Sequence, residues 1–534
     1  MIKSLLKIRL AGIFNSALQT KKGEQKKLPV GRLILFAVLY LYLVAVFLGF
    51  AIAISLSLGA ALIPAGASWL YFALFGVATF SVLFILSIFE TKSQLFDCKD
   101  NELLLSMPIK PRDIVLSRIF TILAVNYAVC AMLMLPFAVV NAVISGDAVS
   151  TVGAILSMLL IPLPATALAS AVGYAVALIS RRLRNSTLIT VIFSLAFLGL
   201  YFWGYASLMS GLGSANEEEL ILGLTDSLAF LGVIGEALMF KSFGSVIFVL
   251  FSLLVTALAY YYVTRDYLKI ATDNRGARKK EYRAEKLKTG TLMTALVKKE
   301  LSRFTSSSTY LLNGGLGVIF RLAVGVLAIV RGGAVLEVID LLLLELPGVS
   351  RDGLLCAGIC AAVITLSSMD MISVSSVSLE GKSLWIIKSM PISARDVLVA
   401  KTAAHSVICT PASLVSVIMM LIGLNAPILA YPLAILSAVA SSLLFAVFGT
   451  VINTAFPKFE FENEAQPIKQ SLAVLVVMMS QMLFGFAMIV AALFGSVILS
   501  GYLVAVGIAL VNILLLIILS VIMVKVSAAR FANL

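Results

Sequence analysis

The sequence predicts an all-α polytopic membrane protein. About twelve transmembrane helices form two six-helix repeats, each led by an interfacial helix and each carrying a cytoplasmic elbow between two spans. Three observations predict this. The chain is 61% hydrophobic and 13% charged, whereas soluble domains run at roughly half apolar and a quarter charged, so its bulk belongs in lipid. Twelve segments reach the ~20 apolar residues that a helical span needs. An octapeptide also recurs: Ser106–Asp113 reads SMPIKPRD and Ser389–Asp396 reads SMPISARD, an offset, 389 − 106, of 283 residues in a chain of 534.

The N-terminal stretch MIKSLLKIRLAGIF places Ile2, Leu5, Leu6, Ile8 and Phe14 among basic residues, the pattern of a helix lying in the headgroup layer. The first apolar run begins at Leu33. It is too long for the core of a signal peptide and no small-residue cleavage motif follows it. The spans are expected at 33–58, 69–89, 118–144, 151–180, 187–210, 244–264, 311–330, 353–373, 402–424, 428–455, 471–497 and 501–524. Pro162 and Pro164 should kink the fourth, and Pro136, Pro411 and Pro432 are similarly placed in others.

With both termini inside, the inner segments collect 36 of the 40 Lys and Arg, leaving Lys241, Arg331 and Arg351 outside and Arg321 within the seventh span. That bias fixes the direction of a multi-pass protein of the cell membrane. It also accounts for the net charge of +13 without nucleic acid, since a basic inner face meets anionic membrane lipid or a protein partner. The first half is read as 1–264, a charged cytoplasmic linker as 265–290, and the second half as 291–534. The second half opens with TALVKKELSRF, an amphipathic basic helix in which Lys299, Glu300 and Arg303 sit among apolar residues. Residues 211–242 form one long outer loop, begun by Glu217, Glu218 and Glu219, for which one or two short outer helices are expected.

Local chemistry shapes the two elbows. In the first, DCKDNELLLS starts acidic and turns apolar, a short helix with favourable charge at its N-terminus. Pro108 drives Met107 out of helical geometry, and Pro111 suits the first turn of a new helix with Asp113 in that turn. In the second, SLWIIKS is the apolar part, Pro391 ends it, and Ser393-Ala-Arg-Asp396 has the spacing of a capping box. Arg112 and Arg395 precede the two acids and stay near water. Each elbow is thus a short surface helix, a sharp break, then a span. Two matched copies in corresponding places favour a specific role over mere connection.

With SMPI…RD in both elbows, KKELSRF at Lys298–Phe304 and FPKFEFENEAQPIKQS from Phe456 to Ser471, the chain resembles a permease subunit of the type-2 ATP-binding-cassette exporters. More narrowly, it resembles their long twelve-span form from Gram-positive bacteria. The resemblance implies that the elbows are coupling helices inserted into two copies of a soluble ATPase subunit. That assigns contact roles to Leu104, Leu105, Ser106, Met107, Pro108 and Ile109 in one elbow and Ile387, Lys388, Ser389, Met390, Pro391 and Ile392 in the other. Arg112, Asp113, Arg395 and Asp396 flank them, and Lys458, Glu460, Glu464 and Lys469 mark the cytoplasmic loop. ATP and Mg would sit on the partner subunits, and no cofactor on this chain.

No Walker A motif is present: GKS at Gly381–Ser383 has Ser376 at the earlier glycine position. Cys356 and Cys360, one turn apart, have no His or second Cys pair beside them in sequence, so they read as apolar packing residues and no metal is expected. Arg321 is the main ionisable residue at mid-membrane, where insertion costs ~2.5–3.5 kcal/mol; it is a candidate for the substrate path or for a structural pair. Asp370 and His405, the single His, could pair with each other.

The leading function is therefore the membrane half of an ATP-driven exporter of an amphipathic, peptide or lipid-like substrate. The alternative is an ion-gradient-driven secondary transporter, which usually needs more buried carboxylates. A membrane-embedded enzyme would need clustered acids and His at one face. The three acids Glu460, Glu462 and Glu464 have no such His partner.

Overall fold

The computed structural model describes residues 6, 30–91, 101–182, 229–271, 290–345, 348–461 and 464–534. Among them ten helices are long and apolar enough to cross a membrane. The expected N-terminal interfacial helix, the fifth span at 187–210, the acidic start of the outer loop and most of the linker lie outside the described residues. The chain divides into two compact units, Met1–Glu281 and Tyr282–Leu534.

In the first unit, α1 (Val30–Leu62) and α2 (Ser68–Thr91) precede the short α3 (Asn101–Ser106) and the long α4 (Pro111–Ser145). Gly146 closes α4 with left-handed backbone, φ 62°, a C-terminal stop that glycine makes inexpensive. The fourth span is two helices, α5 (Ala148–Leu160) and α6 (Pro162–Arg182). The break falls where Pro162 can open a helix but cannot continue one. An aromatic core holds α2 against α4: the Tyr71 and Phe137 rings stack at 4.6 Å and Phe72 meets Phe137 edge-on at 4.9 Å. Among the described residues of the loop expected at 211–242 there is one helix, α7 (Ala229–Met239), before α8 (Gly244–Ala271). Ser157 Oγ donates to the Leu238 carbonyl at 3.0 Å, and Lys241 pairs with Asp147, holding that carboxyl below its ordinary range through the lysine hydrogen bond.

The second unit opens on α9 (Leu292–Ser306), α10 (Ser308–Glu345) and α11 (Arg351–Ser367). It continues through 3₁₀ turns at Ser373–Ser375 and Ser378–Ser383 into the short α12 (Leu384–Ser389), then α13 (Ala394–Gly423) and α14 (Ala430–Ala455). After the five-residue α15 (Ala465–Lys469) come α16 (Leu472–Ile498), α17 (Gly501–Ile522), a π turn and the terminal α18 (Ala528–Asn533).

Two expected spans are corrected. The seventh does not end near 330: α10 runs to Glu345, kinked at Arg331 (φ −125°, ψ 19°). The eighth is not one helix over 353–373: α11 stops at Ser367 after 17 residues, about 25 Å. The following backbone, through Ser376, turns irregularly among buried neighbours. Asp370, Ser373, Ser375 and Ser376 are all buried, and non-helical backbone at membrane depth is tolerated where protein surrounds it. The core of this unit gathers Leu355, Cys356, Cys360 and Ile364 of α11 with Val417 and Leu421 of α13 and Ala434 and Phe445 of α14. Both cysteines are free and pack as small apolar residues.

Candidate functional site

The two elbows share their hydrogen bonds as well as their letters. In the first, the Met107 N–H donates to the Leu104 carbonyl at 3.4 Å and Ile109 N–H to the Met107 carbonyl at 2.7 Å. In the second, Met390 N–H donates to Ile387 at 3.3 Å and Ile392 N–H to Met390 at 2.7 Å. Each three-residue bond spans the proline, which has no N–H to offer and therefore turns the chain where the short helix ends. Pro111 then opens α4. Ser393 caps α13 by accepting the Asp396 N–H at 3.1 Å, while its hydroxyl donates to the Asp396 carboxylate at 2.7 Å. The cap forms, but the acid returns to the serine hydroxyl rather than to its backbone N–H.

The implied contact residues divide between two faces. Leu104, Leu105 and Ile109 pack inward on Ile114, Val115 and Val263. Ile387 and Ile392, with Leu384, pack on Val397, Leu398 and the terminal Phe531. Ser106, Met107, Pro108, Lys388, Ser389, Met390 and Pro391 are exposed, as are Arg112 and Arg395; Asp113 and Asp396 are half-buried. Exposed apolar tips therefore crown both elbows: Met107 at 42% and Met390 at 46%, the latter beside Trp385 at 67%. The two arginines differ. Arg112 Nε donates to the Tyr260 hydroxyl at 2.8 Å, within its own unit, whereas in the second elbow it is Lys388 Nζ that reaches out, to the Ala532 carbonyl at 3.2 Å.

Behind the second elbow lies a charge cluster. Glu380 is 2% exposed, set in the 3₁₀ turn that runs directly into α12. Its carboxylate accepts from Lys401 Nζ of α13 at 2.7 Å, from Lys299 Nζ of α9 at 2.9 Å and from Arg303 Nη2 of α9 at 2.9 Å. Lys401 Nζ, also buried, donates to Glu300 at 2.8 Å and to the Ser376 carbonyl at 2.9 Å. Burial alone would raise the Glu380 pKa, but Lys401 and Arg303 outweigh it and hold the carboxyl well below the ordinary carboxylate range. Gly381 follows with φ +50°, and a Cβ there would meet the Phe461 ring at 3.0 Å.

The acidic loop closes over the same turn. Lys458 N–H donates to Ser378 Oγ at 2.9 Å, and Asn453 of α14 holds Ser378 and Val377 through three further bonds of 2.7–2.9 Å. Glu464 accepts from Ser307 Oγ at 2.7 Å, Glu460 is exposed, and Lys469 is half-buried at the end of α15. Lys299, Glu300 and Arg303 were thus legible as a basic helix. Glu380, Lys401 and Asn453 were missed, although a lysine within the apolar run of α13 was a signal.

A second polar knot lies deeper. Arg321 is wholly buried. It pairs with Asp370 and Ser413 and donates to the Cys409 carbonyl at 3.1 Å. The expected Asp370–His405 pairing is corrected: Asp370 takes the guanidinium, which offers both charge and a hydrogen-bond fork, and His405 Nδ1 accepts the Ser373 N–H at 3.3 Å. The first unit has a neutral counterpart at the 283-residue offset. Ser87 stands for Asp370 and Asn126 for Cys409, with Asn126 Nδ2 donating to Ser87 at 2.6 Å and to Thr166 at 2.7 Å. Asp370, His405 and Cys409 place their ligand atoms within 4.8 Å of one another, but the adjoining Arg321 cation disfavours a metal ion there.

A family model described as a membrane protein of 12 TMs matches residues 30–521. No curated protein matches the chain.

Proposed function

We propose, from the premise that the chain belongs to the family of membrane proteins of 12 TMs, that it is the permease subunit of an ATP-binding-cassette exporter. Two copies of a separate soluble ATPase subunit, carrying ATP and Mg, dock under the elbows. Their closure pushes the elbow tips and shifts the bundle between two states. The observation that carries this reading is the pair of proline-turned elbows with matching hydrogen bonds and exposed methionine tips.

The second elbow has a connection suited to transmitting force. A load on Met390 and Pro391 passes into α12, and from α12 into the turn that holds Glu380. Glu380 is bonded to both α9 and α13, so the elbow, interfacial helix and span move together. In the first elbow the link is apolar, through Leu104, Leu105 and Ile109. An amphipathic, peptide or lipid-like substrate fits a core in which Arg321 is already neutralised by Asp370.

The test is co-purification with candidate soluble ATPases, followed by ATP turnover. Met107→Asp and Met390→Asp alter exposed tips and should abolish the complex while leaving the thermal transition of the chain unchanged. They are cleaner than reversal at Arg112, which also removes the Tyr260 bond. A complex that survives both substitutions overturns the docking reading. One observation favours a secondary transporter: His405 Nε2 is buried with no hydrogen-bond partner, a nitrogen able to take up a proton near the Asp370 carboxylate. Uptake driven by an ion gradient, without nucleotide and sensitive to Asp370→Asn, would establish that reading instead.

A further inference from the structure

Helix α10 is too long for the membrane it enters. Ser308–Glu345 spans 38 residues, about 57 Å, against a hydrocarbon core of about 30 Å. The stretch from Ser308 to Val330 already reaches across. At Arg331 the backbone leaves helical geometry, and the residue itself is exposed. An exposed arginine at the end of a span marks the water boundary, so Gly332–Glu345 lies beyond it, on the face opposite the second elbow.

A close contact fixes the kink in place. A Cβ on Gly332 would stand 2.0 Å from the Gly423 carbonyl oxygen, so the backbones of α10 and α13 touch where α13 ends. Past that contact the helix has three distinct faces. Leu336 and Ile339 pack against the core cluster that includes Leu421 and Leu424. Glu337 is exposed, and Asp340 is bound by Arg351 through bonds of 2.8 and 3.0 Å, with both side chains about half exposed to water. Val335 and Val338, at i and i+3, form an open apolar face, 43% and 56% exposed and turned away from Glu337 and Asp340, while Leu341 and Leu344, 63% and 79% exposed, flank Glu337 at i+4 and i+7.

Exposed apolar residues on a span need no explanation, since lipid covers them. Beyond the boundary they do, because a helix facing water on two sides would not keep such a row. The row also continues a lipid-facing surface: Val326, Leu327, Ile329 and Val330, just before the kink, are 49–67% exposed. We propose that Gly332–Glu345 is an interfacial helix that lies in the bilayer surface opposite the second elbow, with Val335 and Val338 seated among lipid chains and Glu337 in water. Its occupant is the membrane itself. The inference is independent of the energy source for transport and needs only the spanning fold.

The experiment uses the full chain in nanodiscs, with Cys98→Ser as background, because Cys130, Cys356, Cys360 and Cys409 are buried. Nitroxide labels are placed singly at Val335→Cys, Val338→Cys and Glu337→Cys. Collision with oxygen, which concentrates in lipid, is compared with collision with a water-soluble nickel complex. The expected result is a several-fold oxygen preference at 335 and 338 and a nickel preference at 337. Nickel preference at all three positions overturns the proposal, as the helix then stands in water. Oxygen preference at all three also overturns it, as the helix is then inside the hydrocarbon core. Low collision with both probes at 335 and 338 means a protein covers that face, which overturns it too.

Discussion

Glu380 shows how one buried charge can set the geometry of a surface element. Three cations converge on it, and Lys401 shares a second carboxylate, Glu300. A buried ion pair adds little over an apolar replacement, but removing one member leaves uncompensated charge and costs about 3–5 kcal/mol. Glu380→Gln should therefore lower the thermal midpoint sharply in calorimetry or a fluorescence melt. The pH dependence has a definite sign. The folded carboxyl is held below its ordinary pKa, so its stabilisation is present above the unfolded value of about 4.3 and is lost only as pH falls through the depressed folded value. The gap between wild type and Glu380→Gln should stay level from about pH 8 to pH 6 and narrow only in acid. A gap that closes at neutral pH would contradict the cluster.

The deeper pair obeys the same rule. Asp370→Asn should destabilise by about 3–5 kcal/mol, while Arg321→Met with Asp370→Leu together should cost much less. Additive losses in the double variant would show that the two side chains do not depend on one another. These partners were not legible in the sequence for a simple reason. Lys299 and Glu380 are 81 residues apart and Glu300 and Lys401 are 101 apart, and a charge in an apolar run gives no indication of which distant charge it meets.

At the scale of elements, the elbows were legible because proline acts on its own neighbours. It restricts the residue before it and withholds an N–H, so the break after α3 and α12 follows from the letters. The end of α11 at Ser367 was not legible, since its apolar pattern continues to Ile372 and only the packing around Asp370 stops the helix. Close backbone contact is equally hidden. A Cβ on Gly423 would lie 2.3 Å from the Ala328 carbonyl oxygen, whereas one on Gly333 would meet nothing within 4 Å. Gly423→Ala should thus cost about 1–3 kcal/mol, measured as a shift in the thermal midpoint, and Gly333→Ala should not lower it. Equal effects would remove the α10–α13 contact as the cause.

At the scale of the molecule, the two units have separate cores, an aromatic one around Tyr71 and Phe137 and a small-residue one around Cys356, Cys360 and Ala434. A protease site inserted between Glu281 and Tyr282 should, once cleaved, leave two membrane-retained fragments whose unfolding transitions separate; a single shared transition would argue against independent cores. The sequence by itself determined the membrane class, the elbow turns and the doubled pattern, because hydropathy, proline and repetition act locally or on average. Only the tertiary structure decided that one half secures its polar knot with Asn126 and the other with an Arg321–Asp370 pair, and that Glu380 ties the second elbow to α9 and α13. Those outcomes depend on which side chains meet in a low-dielectric interior, and there an unpaired charge is too costly to persist.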